Sequence, residues 1–244
     1  MKTSRLRRFG NWLFGWLLPL ICRLRITGRE NVPPTGRVII APNHANFIDP
    51  FLIQVGMKRL LVFFAKKEVF DWPILGPLAP YYHIIPVDRG AADANAVKRS
   101  LQTLKSEVAL YIAPEGTRSK TGELQQGHSG AVVLATRADA PVVPVGVWGQ
   151  KSLWHDLLRL RRPRIGLSYG KPFRFVVAAR PSREQLDEMT TEMMYRIAAQ
   201  LPPEWRGVYA GELPAWRYTV TLDEAAAGAP SPATPAGGGV VPPP

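Results

Sequence analysis

A histidine and an aspartate five positions apart are the residues of this chain best suited to acid–base chemistry. The stretch Ile39–Pro50 reads IIAPNHANFIDP, so His44 follows a short apolar run and Asp49 precedes a proline. A histidine can take up a proton near neutral pH, and a nearby carboxylate can hold its ring in one tautomer. On one continuous helix the two side chains would point about 140° apart. The pair can therefore act together only if His44 lies in a turn and Asp49 begins the next helix.

The same residues also fit a purely structural interpretation. Asp is a favoured N-cap residue and Pro is favoured in the first turn of a helix. Asp49 could therefore simply start a helix, with His44 as an ordinary loop residue. The short stretch alone leaves both interpretations open.

The rest of the chain alternates between apolar runs of strand length and segments with helical spacing. The run Leu60–Ala65 reads LLVFFA and is typical of a strand covered on both faces. Ser182 and Gln185 have the spacing of a capping box at the start of a helix. The alternation predicts an α/β fold with a mostly parallel central sheet flanked by helices. The predicted strands are Leu24–Thr27, Val38–Ala41, Leu60–Ala65, Ile84–Val87, Val108–Ala113, Val142–Val147 and Arg164–Tyr169, and the predicted helices are Ala92–Glu107, Gly130–Ala138 and Ser182–Gln200.

Polar clusters follow four of these apolar runs. In parallel sheets, ligands bind beyond the carboxyl ends of the strands. We therefore expect the four clusters to face one crevice. They are Asn43–His44, Lys66–Lys67, Asp88–Arg89 and Glu115–Arg118.

Composition narrows the class of protein and its partners. The 244 residues are 46% hydrophobic, which is enough for one sizeable core. Thirty-one Lys and Arg residues against 19 Asp and Glu give a net charge of +12. This excess indicates an anionic partner, such as a membrane surface, a phosphorylated substrate or nucleic acid. Cys22 is the only cysteine, so the chain cannot form an internal disulfide or a Cys-based zinc site, and a reducing cytosolic location fits.

The N-terminal segment has the composition of a membrane-surface helix. The basic stretch Met1–Arg8 precedes the mostly apolar Phe9–Cys22, whose 14 residues fall short of the roughly 20 that a helical span needs. Trp12, Trp16 and the basic flanks predict a monotopic anchor that lies at the level of the head groups. A signal peptide fits less well because no small-residue cleavage site follows, and a plain buried helix remains an alternative.

We divide the chain into three parts. Residues 1–23 are the predicted membrane-anchoring segment, and residues 24–222 form one predicted domain. Residues 223–244 are a predicted disordered tail, because residues 225–244 contain only Ala, Gly, Pro, Ser, Thr and Val.

In chain order, four short segments resemble the four sequence blocks of the glycerolipid acyltransferases, the family that includes the 1-acylglycerol-3-phosphate acyltransferases. The resemblance covers roughly residues 20–210. It implies the fold of that family and transfer of an acyl group from acyl-CoA or acyl-carrier protein to the sn-2 hydroxyl of lysophosphatidic acid, giving phosphatidic acid. It also implies a membrane-associated enzyme on the cytoplasmic face of the inner or plasma membrane. The blocks are Asn43–His44 with Asp49, Ile85–Arg89, Pro114–Ser119 and Pro141–Val145.

The resemblance implies roles for the residues that would carry the reaction. His44 would be the general base that takes the proton of the acceptor hydroxyl, and Asp49 would orient and stabilise it. The backbone N–H groups of Gly116 and Thr117 would hold the oxyanion of the thioester. No acyl-enzyme, metal or resident cofactor is expected.

The resemblance also implies roles in binding the acceptor. Arg89 and Arg118 match arginines thought to bind its phosphate, a task for which the planar guanidinium is suited. Lys66 is a weaker candidate for the same task. Glu115 matches a residue of the acceptor site, where we expect it to position Arg118 or a substrate hydroxyl. His128 stands near a position where many relatives have Lys and could replace that cation.

Features of the sequence also suggest three other functions. The sequence GHSGA around Ser129 resembles a serine-hydrolase elbow, but the preceding segment Lys120–Gln126 does not look like the required strand. A non-enzymatic membrane- or nucleic-acid-binding protein would also use the positive charge, although no nucleic-acid-binding motif is present. The dense run Arg159–Arg164 is interpreted as a patch for anionic lipid or the phosphates of CoA. An acyltransferase acting on another lysophospholipid or a glycolipid is the closest alternative.

Overall fold

The computed structural model describes residues 5–73, 75–87, 94–177, 180–211 and 215–227. Its helices are α1 Arg5–Ile21, α2 Asp49–Gly56, α3 Leu75–Tyr82, α4 Ala94–Lys105, α5 Gly130–Ala138, α6 Leu153–Leu158, α7 Arg183–Ala198 and α8 Leu222–Ala226. Its strands are β1 Arg23–Thr27, β2 Val38–Pro42, β3 Leu61–Val62, β4 Phe64–Lys66, β5 Ile85–Val87, β6 Ala109–Tyr111, β7 Val142–Trp148, β8 Arg164–Tyr169, β9 Phe173–Phe175 and β10 Thr219–Thr221.

Strand β2 lies at the centre of the main sheet, whose order is β1-β8-β7-β2-β6-β3. It runs parallel to both neighbours, with Ile40 opposite Tyr111 of β6 and Val143 of β7. Strand β8 is antiparallel to β7, and β9 and β10 extend the sheet in antiparallel pairings. The predicted α/β class with mainly parallel central strands is confirmed. Because β2 is central, the residues that follow it lie between the carboxyl ends of β6 and β7.

The apolar run after residue 59 is not one strand, so the prediction of a single strand over Leu60–Ala65 is wrong. Strand β3 is buried in the main sheet, whereas the half-exposed β4 pairs with β5 in a separate two-stranded sheet. Phe63 lies between them and packs edge-on against Phe51, with ring centroids 5.4 Å apart. An apolar run predicts burial but not the partner strand. Here the chain leaves the main sheet at Phe63 to form a wall of the cleft described below.

Helices cover both faces of the main sheet, which explains its continuously apolar central strands. On one face, α4, α5 and α7 contribute core residues such as Leu104, Val132 and Met193. On the other face, α1, α2 and α6 contribute Leu18, Leu52 and Leu153. Ser182 caps α7 as predicted, because its hydroxyl accepts the Gln185 N–H while the Gln185 side chain accepts the Ser182 N–H.

Helix α1 packs one face on the domain and exposes the other. Arg7 is buried and donates to the carbonyl oxygens of Leu61 and Tyr82 and to the Gln54 side chain. No helix among the described residues is both long enough and apolar enough to cross a membrane. The apolar residues that α1 exposes are Phe9, Trp12, Leu13, Trp16, Leu17, Leu20 and Ile21.

The folded domain continues beyond residue 222, where the sequence suggested that it ends. Thr221 caps α8, and Glu224 completes a capping box with it. The predicted tail therefore begins with ordered helix, while residues 228–244 lie outside the described part of the chain.

Candidate active site

His44 and Asp49 face each other across the turn that connects β2 to α2. The Nδ1 atom of His44 lies 2.9 Å from Oδ2 of Asp49, which is fully buried. The same oxygen accepts the backbone N–H groups of Ala45 and Asn46, each at 2.9 Å. Because Asp49 is the first residue of α2, the positive end of the helix dipole also favours its negative charge. Three hydrogen bonds therefore hold the carboxylate beside the imidazole, in the loop-then-helix arrangement that the chemistry requires.

Two asparagines attach this loop to β7 and to the turn that follows it, and sequence reasoning assigned neither of them a role. The buried Asn43 side chain donates to the carbonyl of Val147 at 2.8 Å and accepts the N–H of Val147 at 2.7 Å. Asn46 donates to the carbonyl of Gln150 at 3.1 Å. The sequence signal for this contact was an asparagine directly after a central strand. A buried side-chain amide needs hydrogen-bond partners, and the neighbouring strand can supply them. These bonds fix the loop that carries His44.

Glu115 also holds the histidine loop, through a contact that the sequence did not predict. Its Oε1 accepts the backbone N–H of His44 at 2.6 Å, and its Oε2 accepts two N–H groups of Gln125 at 2.9 and 3.1 Å. Both oxygens are therefore occupied, and within the described chain Glu115 forms no ion pair with Arg118. The expected contact with Arg118 is therefore not formed, while the alternative expectation, that Glu115 positions a substrate hydroxyl, stays a prediction. Burial raises the pKa of Glu115, although the bonds from Gln125 and His44 act in the opposite direction.

Two backbone N–H groups in the turn after β6 were predicted to bind an oxyanion, and one of them already donates a hydrogen bond within the turn. The N–H of Gly116 donates to the Ala113 carbonyl at 3.1 Å, so Gly116 does not offer a donor to substrate as predicted. Gly116 has a φ of +66°, and a Cβ there would lie 3.2 Å from the ring of His128. The backbone N–H of Thr117 has no acceptor among the described residues. Thr117 is therefore the one of the two that keeps an available amide.

A cleft of about 170 Å³ opens beside His44. Tyr111, at the end of β6, lines it and places its hydroxyl 3.4 Å from Nδ1 of His44. Burial, followed by the nearby Asp49 and Glu115 charges, raises the pKa of Tyr111 well above its ordinary value, so the phenol stays neutral. Sequence reasoning missed Tyr111, whose only signal was its place at the end of a strand. Most other lining residues are apolar, including Phe47, Phe51, Phe63, Val69, Trp72 and Ile84.

Two of the three predicted phosphate-binding cations line this cleft. Lys66 is the last residue of β4, Arg118 lies in the loop after β6, and both are exposed. Arg118 has no hydrogen-bond or ion-pair partner within the described chain. Arg89, the third cation, lies outside the described residues. Among the described residues no cluster of three or more His, Cys, Asp or Glu side chains is arranged to hold a metal ion.

Ser129 does not have the surroundings of a hydrolase nucleophile. It is the N-cap of α5, and the segment before it is a loop rather than a strand. Ser129 and His128 line a separate cavity of about 400 Å³ beside α7, away from His44. The nucleophile elbow of a serine hydrolase is therefore absent at this position.

Comparison with known proteins gives consistent results. The family model described as Acyltransferase matches residues 23–148. A protein of Bacillus subtilis strain 168 named 1-acyl-sn-glycerol-3-phosphate acyltransferase is 30% identical over 183 residues, which are 74% of this chain and 89% of that protein. A protein of Limnanthes douglasii with the same name is 33% identical over 66% of this chain and 56% of its own length. The crystal structure of the 1-acyl-sn-glycerophosphate (LPA) acyltransferase PlsC from Thermotoga maritima has the same fold, with a TM-score of 0.60 and 24% identity over 76% of each chain.

Proposed function

This chain belongs to the acyltransferase family, and we propose that it transfers a fatty acyl group from an acyl thioester to the sn-2 hydroxyl of 1-acylglycerol 3-phosphate. The product is phosphatidic acid, the precursor for phospholipid biosynthesis. The observation that carries the proposal is the His44–Asp49 pair, at 2.9 Å, in a cleft that also contains Arg118 and Lys66. The names of the Bacillus and Limnanthes relatives support this acceptor.

The geometry of the pair supports the following proton transfers. Because Nδ1 of His44 is hydrogen-bonded to Asp49, Nε2 is the nitrogen that accepts the proton of the sn-2 hydroxyl. The resulting alkoxide oxygen attacks the thioester carbonyl carbon and forms the C–O bond of a tetrahedral oxyanion, which then collapses to the ester as the C–S bond breaks. The leaving thiolate then takes the proton from the imidazolium. Asp49 stabilises the imidazolium between these steps, and the Thr117 N–H is the candidate donor to the oxyanion.

The cleft suits the polar head of the acceptor. Its volume of about 170 Å³ is well below the roughly 300–1,000 Å³ of sites that enclose drug-sized ligands. It can take a glycerol phosphate group, while the acyl chains lie along the apolar walls and beyond. Arg118 offers paired donors to a phosphomonoester, and Lys66 adds a second positive charge. Arg89, by family resemblance, would be a third cation.

The exposed face of α1 supports attachment to an anionic membrane from one side. Trp12 and Trp16 are each 62% exposed on this face, and the segment is rich in Arg. Such a helix lies in the interface plane, which would place the protein next to its lipid acceptor, and the family resemblance implies the cytoplasmic face. Replacing Trp12 and Trp16 together by Ser should release the protein from membranes. A truncation would be a poorer test, because it also removes the buried Arg7 and Leu18.

A competition assay tests the acceptor and the donor. Purified protein is offered lysophosphatidic acid, other lysophospholipids and a glycolipid together, with either acyl-CoA or acyl-carrier protein as donor. We expect phosphatidic acid as the main product, and no product from the His44→Ala variant. Ser129→Ala should retain full activity and serves as the matched control. The assignment is wrong if lysophosphatidylcholine or the glycolipid is acylated in preference.

A further inference from the structure

Helix α6 and the residue two positions after it carry the most exposed large apolar side chains of the described chain. Leu158 is 85% exposed and Leu160 is 97% exposed, and Trp154 on the same element is half-exposed. Isolated exposed apolar residues are normal on a protein surface. Three within seven residues, two on α6 and one just after it, form a patch that lies outside the buried core.

The backbone conformation of Leu160 is unusual for a leucine. Its φ is +54°, in the left-handed region, where it follows the C-cap residue Arg159. Gly or Asn normally occupies this position, because a Cβ makes the conformation unfavourable. Here a leucine takes the strained conformation and packs on nothing within the described chain. Its side chain is therefore best explained by a contact outside the chain.

Arginines surround these apolar side chains. Arg159 and Arg161 are exposed, and within the described residues their guanidinium groups have no hydrogen-bond or ion-pair partner. Arg162 is different, because it donates to the carbonyl oxygens of Pro19 and Cys22 at the end of α1. Tryptophan, leucine and arginine together are the composition of segments that lie at a membrane interface.

The patch is continuous with the cleft mouth and with α1. The Trp154 ring stacks on Phe47 with a centroid distance of 6.1 Å and an interplanar angle of 6°, and Phe47 lines the cleft. Trp72 packs edge-on against Phe47, with ring centroids 6.4 Å apart. Arg162 ties the segment after α6 to Pro19 of α1, and α1, α2 and α6 pack on the same face of the sheet.

We propose that Trp154, Leu158, Arg159, Leu160 and Arg161, called here the α6 surface, form a second membrane-binding site that takes anionic lipid head groups and seats the cleft mouth on the bilayer. The proposal rests on the proposed function and adds a contact separate from α1. It explains how a lipid acceptor reaches His44, since its acyl chains leave the bilayer at an apolar rim and do not cross water. A membrane fits better than nucleic acid because Leu158 and Leu160 project alongside the arginines.

The test measures binding of the full-length protein to sedimenting vesicles of phosphatidylcholine, with or without phosphatidylglycerol. Leu160→Gly should lower the partition coefficient about fivefold, because it removes apolar surface that the bilayer would cover. Its thermal stability should stay equal to that of wild type or rise, because Gly relieves the left-handed strain. Arg159→Gln with Arg161→Gln should weaken binding about fivefold per arginine on phosphatidylglycerol vesicles only.

Matched controls lie away from the α6 surface. Arg99→Gln with Arg137→Gln removes the same charge from exposed positions on α4 and α5, on the opposite face of the sheet. Val208→Ser removes an apolar side chain that is also exposed. Both control proteins should bind vesicles as wild type does.

The outcomes separate this proposal from the proposed function. Binding is measured without turnover, so a wild type that acylates no lyso-lipid would refute the function and leave the α6 surface standing. Vesicle binding of both α6-surface variants at the wild-type level would overturn the inference. It would also be overturned if the arginine variant raised KM for acyl-CoA with a detergent-dispersed acceptor, while vesicle binding stayed unchanged. That result would assign the arginines to coenzyme phosphates.

Discussion

Replacing Glu115 by glutamine tests whether this residue holds the histidine loop or contacts the acceptor. The carboxylate accepts three N–H groups, one from His44 and two from Gln125. Glutamine has the same shape but offers one oxygen and one NH₂ group. Whichever way the amide is turned, its NH₂ group faces an N–H group that previously had an acceptor.

The size of the effect follows from these bonds. A buried donor left without an acceptor costs about 1–3 kcal/mol, and a hydrogen bond to a charged group contributes about 1.5–3 kcal/mol. Removing a buried charge offsets part of this loss, since burial already disfavours the ionised form of Glu115. We expect Glu115→Gln to lower the free energy of unfolding by about 1–2 kcal/mol. We also expect kcat to fall roughly tenfold as His44 loses its bond at 2.6 Å, because small misplacements of a catalytic group are costly.

The pH dependence of stability provides a second readout. The pKa of Glu115 is raised above its ordinary value of 4.5 in the folded protein. Between 4.5 and the raised value, the folded chain binds more protons than the unfolded chain, so this carboxyl makes stability fall as pH rises. Glutamine does not titrate. The stability difference between wild type and Glu115→Gln should therefore be largest below pH 4.5 and narrow as pH rises through the folded pKa.

The assay combines urea unfolding at several pH values with steady-state kinetics on the lysophospholipid acceptor. Glu123→Gln is the matched control, because Glu123 is an exposed carboxylate on the same loop, and its replacement should change stability by less than about 0.5 kcal/mol. A role at the acceptor would give the opposite pattern. If KM for the acceptor rises tenfold while kcat and stability stay at wild-type values, Glu115 contacts substrate and its proposed role in holding the histidine loop is refuted.

Three further substitutions test other parts of the site. Asp49→Asn should lower kcat by roughly a hundredfold or more, because the neutral amide cannot stabilise the His44 imidazolium, and single-turnover kinetics would show an unchanged rate if this is wrong. Asn43→Ala should lower the unfolding free energy by about 2–4 kcal/mol, since both of its bonds to Val147 are lost in the core; an unchanged melting curve would contradict it. Arg118→Ala should raise KM for a phosphate-bearing acceptor about tenfold with a small effect on kcat, and Arg118→Lys should recover part of it; equal KM values for all three proteins would exclude phosphate binding there.

Much of the fold was predictable because its signals are local. Hydrophobic periodicity depends on near neighbours in the chain, and it located the central strands and helices α4, α5 and α7, whereas α3, α6 and α8 were missed. The His44–Asp49 turn was predictable for the same reason, since an Asp-Pro helix start within five residues of a histidine closes its own hydrogen bonds. The split at Phe63 was not predictable, because an apolar run does not identify which strand will pair with each half of it.

The role of Glu115 shows the limit of sequence reasoning most clearly. Family resemblance placed it in the acceptor site and beside Arg118, but its oxygens contact a backbone N–H 71 positions away and another side chain ten positions on. The Gly116 amide, also expected to face substrate, closes a turn onto Ala113. Residue type alone cannot tell which direction a side chain or an amide takes.

Local sequence was thus sufficient for the α/β class and for the apolar, basic-flanked character of α1, and together with the family resemblance it identified the candidate base and its carboxylate partner. Tertiary structure alone decided that Asn43 and Glu115 hold the histidine loop, that Tyr111 lies beside the imidazole, and that α6 is continuous with the cleft mouth. The physical reason is that hydrogen bonds and ring contacts form between groups that are close in space. The sheet order brings together residues more than a hundred positions apart in the chain, such as Asn43 with Val147, or Phe47 with Trp154.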